Sequence, residues 1–313
     1  MKNLLKCIFS IAIYSVLLIG IFALSKPISN YIVENVVYKK EVYPLEYNNY
    51  SKKSNFNYLQ INSDFDTKNK TDLINNIYTI VDSGISEYSF YCSDEYINCL
   101  EDIKDVATDN ELMTIINNFT NPYNSFNKLY VTTNTMGKIT VKVEKLYTSD
   151  DINYLNDYMN NFLINNLNDS MSNREKIKTF HDYIINNTSY DKEKANEIKN
   201  NIHTENTLES HKATGVLKNH IALCSGYTDV MAIFLNKINV PNYKISTDSH
   251  IWNIVNLDNT WYHLDMTWDD PVLDTGREIL IDEFMLITNN ELKEKNTGQH
   301  DYDATVYSEI ATN

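Results

Sequence analysis

Three side chains in the last third of the chain, Cys224, His250 and Asp265, are of the types that perform nucleophilic acyl transfer when a fold brings them together. The segment CSGYTDVMAIFLNKINV, residues 224–240, places Val230, Ile233, Phe234, Ile238 and Val240 at near-helical spacing, which puts Cys224 at or just before a helix N-terminus. The positive end of a helix dipole stabilises a thiolate, the form of cysteine that attacks an acyl carbon. Beyond it lie HIWNIVNL (250–257) and TWYHLDMTW (260–268), two β-branched and aromatic stretches split by Asp258 and Asn259, residues that tolerate the left-handed geometry of a tight turn. A two-residue turn with Leu257 facing Thr260 sets His250 opposite Thr267, with Asp265 one diagonal step away on the same face. Diagonal cross-strand neighbours lie within about 8 Å at the backbone, so imidazole and carboxylate can meet. A three-residue turn without a bulge would send them to opposite faces.

The elements that must hold these residues follow a mixed α and β order. TDLINNIYTIVD (71–82) has helical spacing behind Thr71 as a candidate N-cap, and residues 110–119 form a second amphipathic segment. KLYVTT and KITVKVEKLY read as strands around a turn at Asn134 to Gly137. From Ser149 to Ile185 the pattern is helical twice, the second time behind Ser172 with Glu175 placed for a capping box.

The 313 residues allow two globular domains. With 27 Lys+Arg against 42 Asp+Glu the net charge is −15, which argues against a grip on nucleic-acid phosphates. Residues 7–24, CIFSIAIYSVLLIGIFAL, are uncharged, apolar and about long enough to span a bilayer. Lys2 and Lys6 on the inner side would leave the bulk of the chain outside. The expected layout is a signal anchor or transmembrane helix in 1–25, a polar linker in 26–55, a small mixed α/β domain in 56–150 and the Cys-His-Asp region in 151–313. A cleaved signal peptide is the rival to the anchor and would make the protein secreted; its best small-residue site is Ala23-Leu24-Ser25. Cys92 and Cys99 could bridge only across a loop or bend, because seven residues of continuous helix separate them by roughly 10 Å. Two buried thiols are the other reading. The absence of a Cys-x-x-Cys pair removes a zinc ribbon or thioredoxin-type site.

The run HKATGVLKNHIALCSGYTDVMAIFL resembles the approach to a Cys-x-Gly-Tyr helix start in the transglutaminase-like superfamily. SHIWNIVNLDNTWYHLDMTWDDP is similar to that family's histidine strand, turn and aspartate strand closed by Trp-Asp-Asp-Pro. FHDYIINNTSYD (180–191) resembles the segment that often precedes this core, and residues 56–150 resemble the amino-terminal part of bacterial membrane-anchored members. The resemblance implies an α+β fold with a papain/transglutaminase-like core, in which a helix carrying the cysteine packs on an antiparallel sheet carrying the histidine and aspartate. It implies Cys224 as nucleophile, His250 as general base and acid, and Asp265 as the group orienting His250. Asn219, His220 and Ile221 depart from the glycine and small or acidic residues often found there.

The function expected is therefore an extracytoplasmic cysteine peptidase, amidase or transglutaminase-type acyltransferase at the cell membrane. Its partners would be a peptide or protein substrate and, through the N-terminal helix, the bilayer. The competing function is a non-catalytic transglutaminase-like surface module. No cofactor is expected. A zinc site of Cys224, His250, His263 and Asp265 is the alternative use of the same residues, and Asp269, Asp270, Asp274 and Asp282 lack EF-hand spacing. Of the remaining histidines, His181 reads as a surface or interdomain contact, His263 as a packing residue, and His203, His211 and His220 as solvated or loop residues.

Overall fold

The structure, a computed structural model, describes residues 56–200, 208–271, 280–295 and 297–311, together with a few helical residues between 14 and 28. Most of the span expected at 7–24 lies outside the described residues. Among the described residues no helix is long and apolar enough to cross a membrane. Residues 45–313 form one compact unit.

The order of elements begins with α1 (Lys70–Asp82), β1 (Glu87–Tyr91), α2 (Cys99–Thr108), α3 (Asn110–Phe119), β2 (Phe126–Thr133) and β3 (Lys138–Lys145). The N-cap of α1 is Asn69 and not Thr71, because the Asn69 side chain accepts from the Asp72 N–H two positions before the expected start. The three strands pair antiparallel in the order β1-β3-β2. Cys92 sits in the loop after β1 and Cys99 opens α2, so the bend a bridge requires is present: the two form a disulfide with Cα atoms 5.9 Å apart.

Two helices follow, α4 (Ser149–Asn166) and α5 (Asn173–Asn187), each started by a capping box, Thr148 with Asp151 and Ser172 with Glu175. Then come β4 (Ser189–Tyr190), α6 (Lys192–Lys199), β5 (Ile221–Ala222), paired in parallel with β4, and α7 (Cys224–Lys237). The chain closes with β6 (Asn242–Ser246), β7 (Ile251–Leu257), β8 (Thr260–Leu264), β9 (Met285–Ile287), α8 (Asn289–Lys295) and α9 (Ser308–Ala311). Strands β6 to β9 form an antiparallel sheet in sequence order.

The α+β sheet is covered on both faces, and alternation along β7 assigns the residues. Val255 and Leu257 belong to a core with Val230, Ile233 and Phe234 of α7 and Ile177 and Phe180 of α5. Trp252 and Ile254 point the other way, into a core with Phe56, Phe119, Ile139 and Tyr307. The segment before residue 150 therefore shares a core with the sheet that follows. A buried ion pair fixes α7 against that sheet: Lys244 of β6 lies 2.8 Å from Asp229 of α7. The Tyr147 hydroxyl donates to the other Asp229 oxygen at 2.8 Å, and Lys244 also donates to Ser125 at 3.1 Å. Both charges are thus satisfied where an unpaired one would be costly.

Candidate active site

Cys224 is the first residue of α7, half-buried, with a free thiol. Helix α7 is stitched to β7 beside it. The Thr228 hydroxyl lies 2.7 Å from the Cys224 carbonyl and 3.0 Å from the Ile251 carbonyl, and Asn253 donates to the Thr228 carbonyl at 3.0 Å. Because Ile251 follows His250 directly, these bonds bring the cysteine and the histidine to the same end of the sheet.

The glycine of Cys-x-Gly has a steric reason. A Cβ at Gly226 would stand 2.5 Å from the Ser210 carbonyl oxygen, and that carbonyl already accepts from the Leu223 N–H at 2.7 Å. Residues 208–211 therefore press on the first turn of α7, and only glycine admits the approach. Gly226→Ala is expected to cost about 2 kcal/mol, the usual range for overpacking against backbone, and to slow Cys224 alkylation. Urea unfolding and labelling rates check this, and a variant as stable and reactive as the parent would refute it.

The hairpin has the expected two-residue turn. Leu257 pairs with Thr260 and Ile254 with His263, while Asp258 and Asn259 both lie in the left-handed region at φ 54° and 64°. His250 precedes β7 and Asp265 follows β8, and their side chains meet, with Nε2 of His250 2.5 Å from Oδ2 of Asp265. Since a carboxylate oxygen only accepts, Nε2 carries the proton, leaving Nδ1 for the other side of the ring. The Cys224 side chain lies within electrostatic reach of His250. Burial works against protonating His250, but the charge and hydrogen bond of Asp265, joined by Cys224, raise its pKa to about 10. Asp265 is 1% exposed, and burial would raise its pKa; His250 and His300 outweigh that and hold the carboxyl below its usual range.

The loop after β8 shows what the Trp-Asp-Asp-Pro run does. The other oxygen of Asp265 accepts from the backbone N–H groups of Thr267 at 2.9 Å and Trp268 at 3.2 Å. Asp269 accepts from the Phe284 N–H at 2.9 Å and faces Nε2 of His181 at 3.1 Å. The Tyr227 hydroxyl of α7 donates to Asp270. Helices α5 and α7 thereby hold the loop that presents Asp265. His181, expected as a surface or interdomain contact, is buried within the fold against Asp269, and its spacing from Ile177 and Ile184 on the buried face of α5 is the signal for that burial.

Of the other histidines with an expected role, His211 departs from it. His211 is half-buried with Nδ1 2.8 Å from the Ser225 hydroxyl, next to Cys224, and burial lowers its pKa. His220 is exposed, and His203 lies outside the described residues. His263 packs in the core as expected. Its Nδ1 accepts from the Trp252 indole at 3.0 Å, and burial together with nearby His300 lowers its pKa to about 3. His263 is thus engaged by Trp252, not gathered with Cys224 and Asp265 as the zinc reading required. The described residues that do bring ligand-type atoms within 4.8 Å of one another are His250, Asp265 and His300.

His300 had no signal in the sequence, lying in an irregular segment 35 residues beyond Asp265. Its Nε2 is 2.9 Å from the same Asp265 oxygen that His250 contacts. Tyr190 of β4 was also missed. Its strand pairs Tyr190 with Ala222, two residues before the cysteine. Burial, then the neighbouring Cys224 and Asp191, raises the pKa of its phenol.

With this geometry in view, residues 159–293 match the family described as a transglutaminase-like domain. Over that stretch the chain is similar to the transglutaminase-like superfamily. Among solved structures it is similar to one described as a TGase, at 17% identity and a TM-score of 0.35, covering 55% of this chain and 58% of the other. It is also similar to a candidate cysteine protease from Cytophaga hutchinsonii, at 10% identity and a TM-score of 0.27, covering 49% and 65%. The match thus spans less than two thirds of either chain. No curated protein matches.

Proposed function

We propose that the protein is a cysteine acyl-transfer enzyme in which Cys224 is the nucleophile, His250 the general base and acid, and Asp265 the group that orients His250. The observation that carries this reading is the contact of Asp265 with His250 at 2.5 Å, with Cys224 at a helix start within electrostatic reach of the imidazole. Within it, His250 already holds the thiol proton as imidazolium, and the Cys224 thiolate attacks a peptide or protein amide carbonyl. The tetrahedral intermediate then collapses to a thioester, and the imidazolium protonates the departing amine. Water attacking the thioester completes hydrolysis and an amine completes transfer; in both cases His250 accepts the proton of the attacking group and Cys224 leaves as thiolate. Hydrolysis is the favoured outcome, because water is always present while transfer demands a dedicated amine site.

The oxyanion donors in this reading are the backbone N–H of Cys224, at a helix start where N–H groups lack intrahelical partners, and the Tyr190 hydroxyl. Tyr190→Phe is expected to lower kcat on peptide amides by about 100-fold with KM little changed. Steady-state kinetics check this, and an unaltered kcat would remove Tyr190 from the site.

The Cys92–Cys99 disulfide supports a compartment outside the reducing cytosol, consistent with a chain anchored by residues 7–24 and facing outward. The deciding experiment is iodoacetamide labelling of Cys224 across pH, located by mass spectrometry, in parent and His250→Ala proteins. A thiol equally slow in both would replace the enzyme reading with a binding module.

A further inference from the structure

Asp265 is surrounded by more donors than a catalytic aspartate needs. Oδ1 holds the two backbone N–H groups of Thr267 and Trp268, and Oδ2 is shared between two imidazoles, Nε2 of His250 and Nε2 of His300. The second imidazole is itself tightly held. Its Nδ1 lies 2.5 Å from the Thr297 hydroxyl, and its ring stands among Trp252, Trp268 and Phe284 at centroid distances of 4.7, 5.2 and 5.5 Å. Next to it the Gln299 carbonyl accepts from the Thr247 hydroxyl at 3.1 Å, on the turn that leads into His250. The segment around residues 297–300 therefore clasps both the aspartate and the approach to the histidine.

We propose that His300 is a positioning residue that shares the Asp265 carboxylate with His250 and thereby limits how strongly Asp265 draws a proton onto His250. Its catalytic consequence rests on the cysteine reading above. Nε2 of His300 faces an oxygen that only accepts and so carries a proton. In the neutral tautomer the Thr297 hydroxyl donates to Nδ1, which strengthens Nε2–H as a donor. Each hydrogen bond that a carboxylate accepts from elsewhere spreads its charge and weakens its pull on the remaining partner. The groups facing His250 are Asp265, Cys224 and His300, while His263 faces His300 and Asp269 lies within electrostatic reach of Asp265. His300 is the one among them that can change the share of Asp265 available to His250 without touching the nucleophile.

The test follows the ring titration of His250 by NMR in protein carrying 15N-histidine, resonances being assigned by single replacement. His300→Phe keeps an aromatic ring among the surrounding aromatic residues but removes the donor. It is expected to raise the His250 midpoint by about half a pH unit, the scale of one neutral hydrogen bond. His300→Gln, whose amide can still donate, should return most of that shift. A midpoint unmoved in His300→Phe, or moved equally in His300→Gln, would overturn the proposal. If His300→Phe does not fold, Thr297→Val decides: it leaves the imidazole in place and is expected to move His250 upward by a smaller amount, and no movement refutes the idea. A parent protein whose Cys224 fails to alkylate would overturn the catalytic reading alone, since the His250 titration remains readable.

Discussion

Replacing His250 with alanine is expected to slow alkylation of Cys224 at pH 6 by about 100-fold. An isolated cysteine is only about 0.3% thiolate at that pH, whereas one paired with an imidazolium is mostly ionised. The full ratio is not reached because a stabilised thiolate is a weaker nucleophile, with a Brønsted slope of about 0.4 to 0.5. The effect depends on His250 being protonated over the working range, which its elevated pKa of about 10 provides. The profile should therefore be flat from mildly acidic to neutral pH in the parent and rise with pH in the variant. Equal rates at pH 6 would show that the imidazole does not ionise the thiol.

Asp265→Asn is expected to be damaging in two separable ways. The amide can still accept a hydrogen bond from His250, but it cannot stabilise the imidazolium or hold the ring in one tautomer, and comparable changes in other triads cost about 10⁴ in kcat. The alkaline limb of turnover should move from the region of pH 10 toward an ordinary imidazole value, because the attractions that offset burial at His250 come first from Asp265. Stability shifts with it. A histidine whose folded pKa is raised contributes stability that is complete below about 6.5 and is lost as pH rises through the folded value. An aspartate held low contributes stability present above its ordinary value and lost as pH falls through the lowered one. The parent should thus be most stable between roughly pH 4 and 6.5 and decline toward pH 10. The variant should lie about 2 kcal/mol lower on the plateau, with the alkaline decline reduced. Thermal melts across pH read this directly, and superimposable curves would contradict a charged His250–Asp265 pair.

Much of the site was legible because local rules fixed it. The Asp258–Asn259 turn dictates the hairpin register, which brings together the strand ends next to His250 and Asp265; the two residues lie just beyond the paired positions, so the expected pairing of His250 with Thr267 is not reached. The apolar spacing after Cys224 gives the start of α7, and the Ser172–Glu175 pair gives the start of α5. What was misread or missed depended on partners remote in sequence. The pattern beside Asp182 suggests a surface or interdomain contact for His181, whereas Asp269, 88 residues later, meets its other nitrogen in the core. His211, expected as a solvated or loop residue, meets Ser225 because the first turn of α7 packs against it.

The sequence by itself determined the candidate residues, the helix that carries the cysteine and the hairpin whose open end lies between histidine and aspartate. Each of these rests on interactions spanning a few residues, where periodicity and turn geometry leave little choice. Only the tertiary structure decided that the Cys92–Cys99 loop bends enough to close a disulfide, that Gly226 must admit the Ser210 carbonyl, and that His300 shares the carboxylate of Asp265. Those outcomes are set by close packing between segments that carry no common pattern, because a buried carboxylate takes whatever donors the surrounding chain can bring within hydrogen-bond distance.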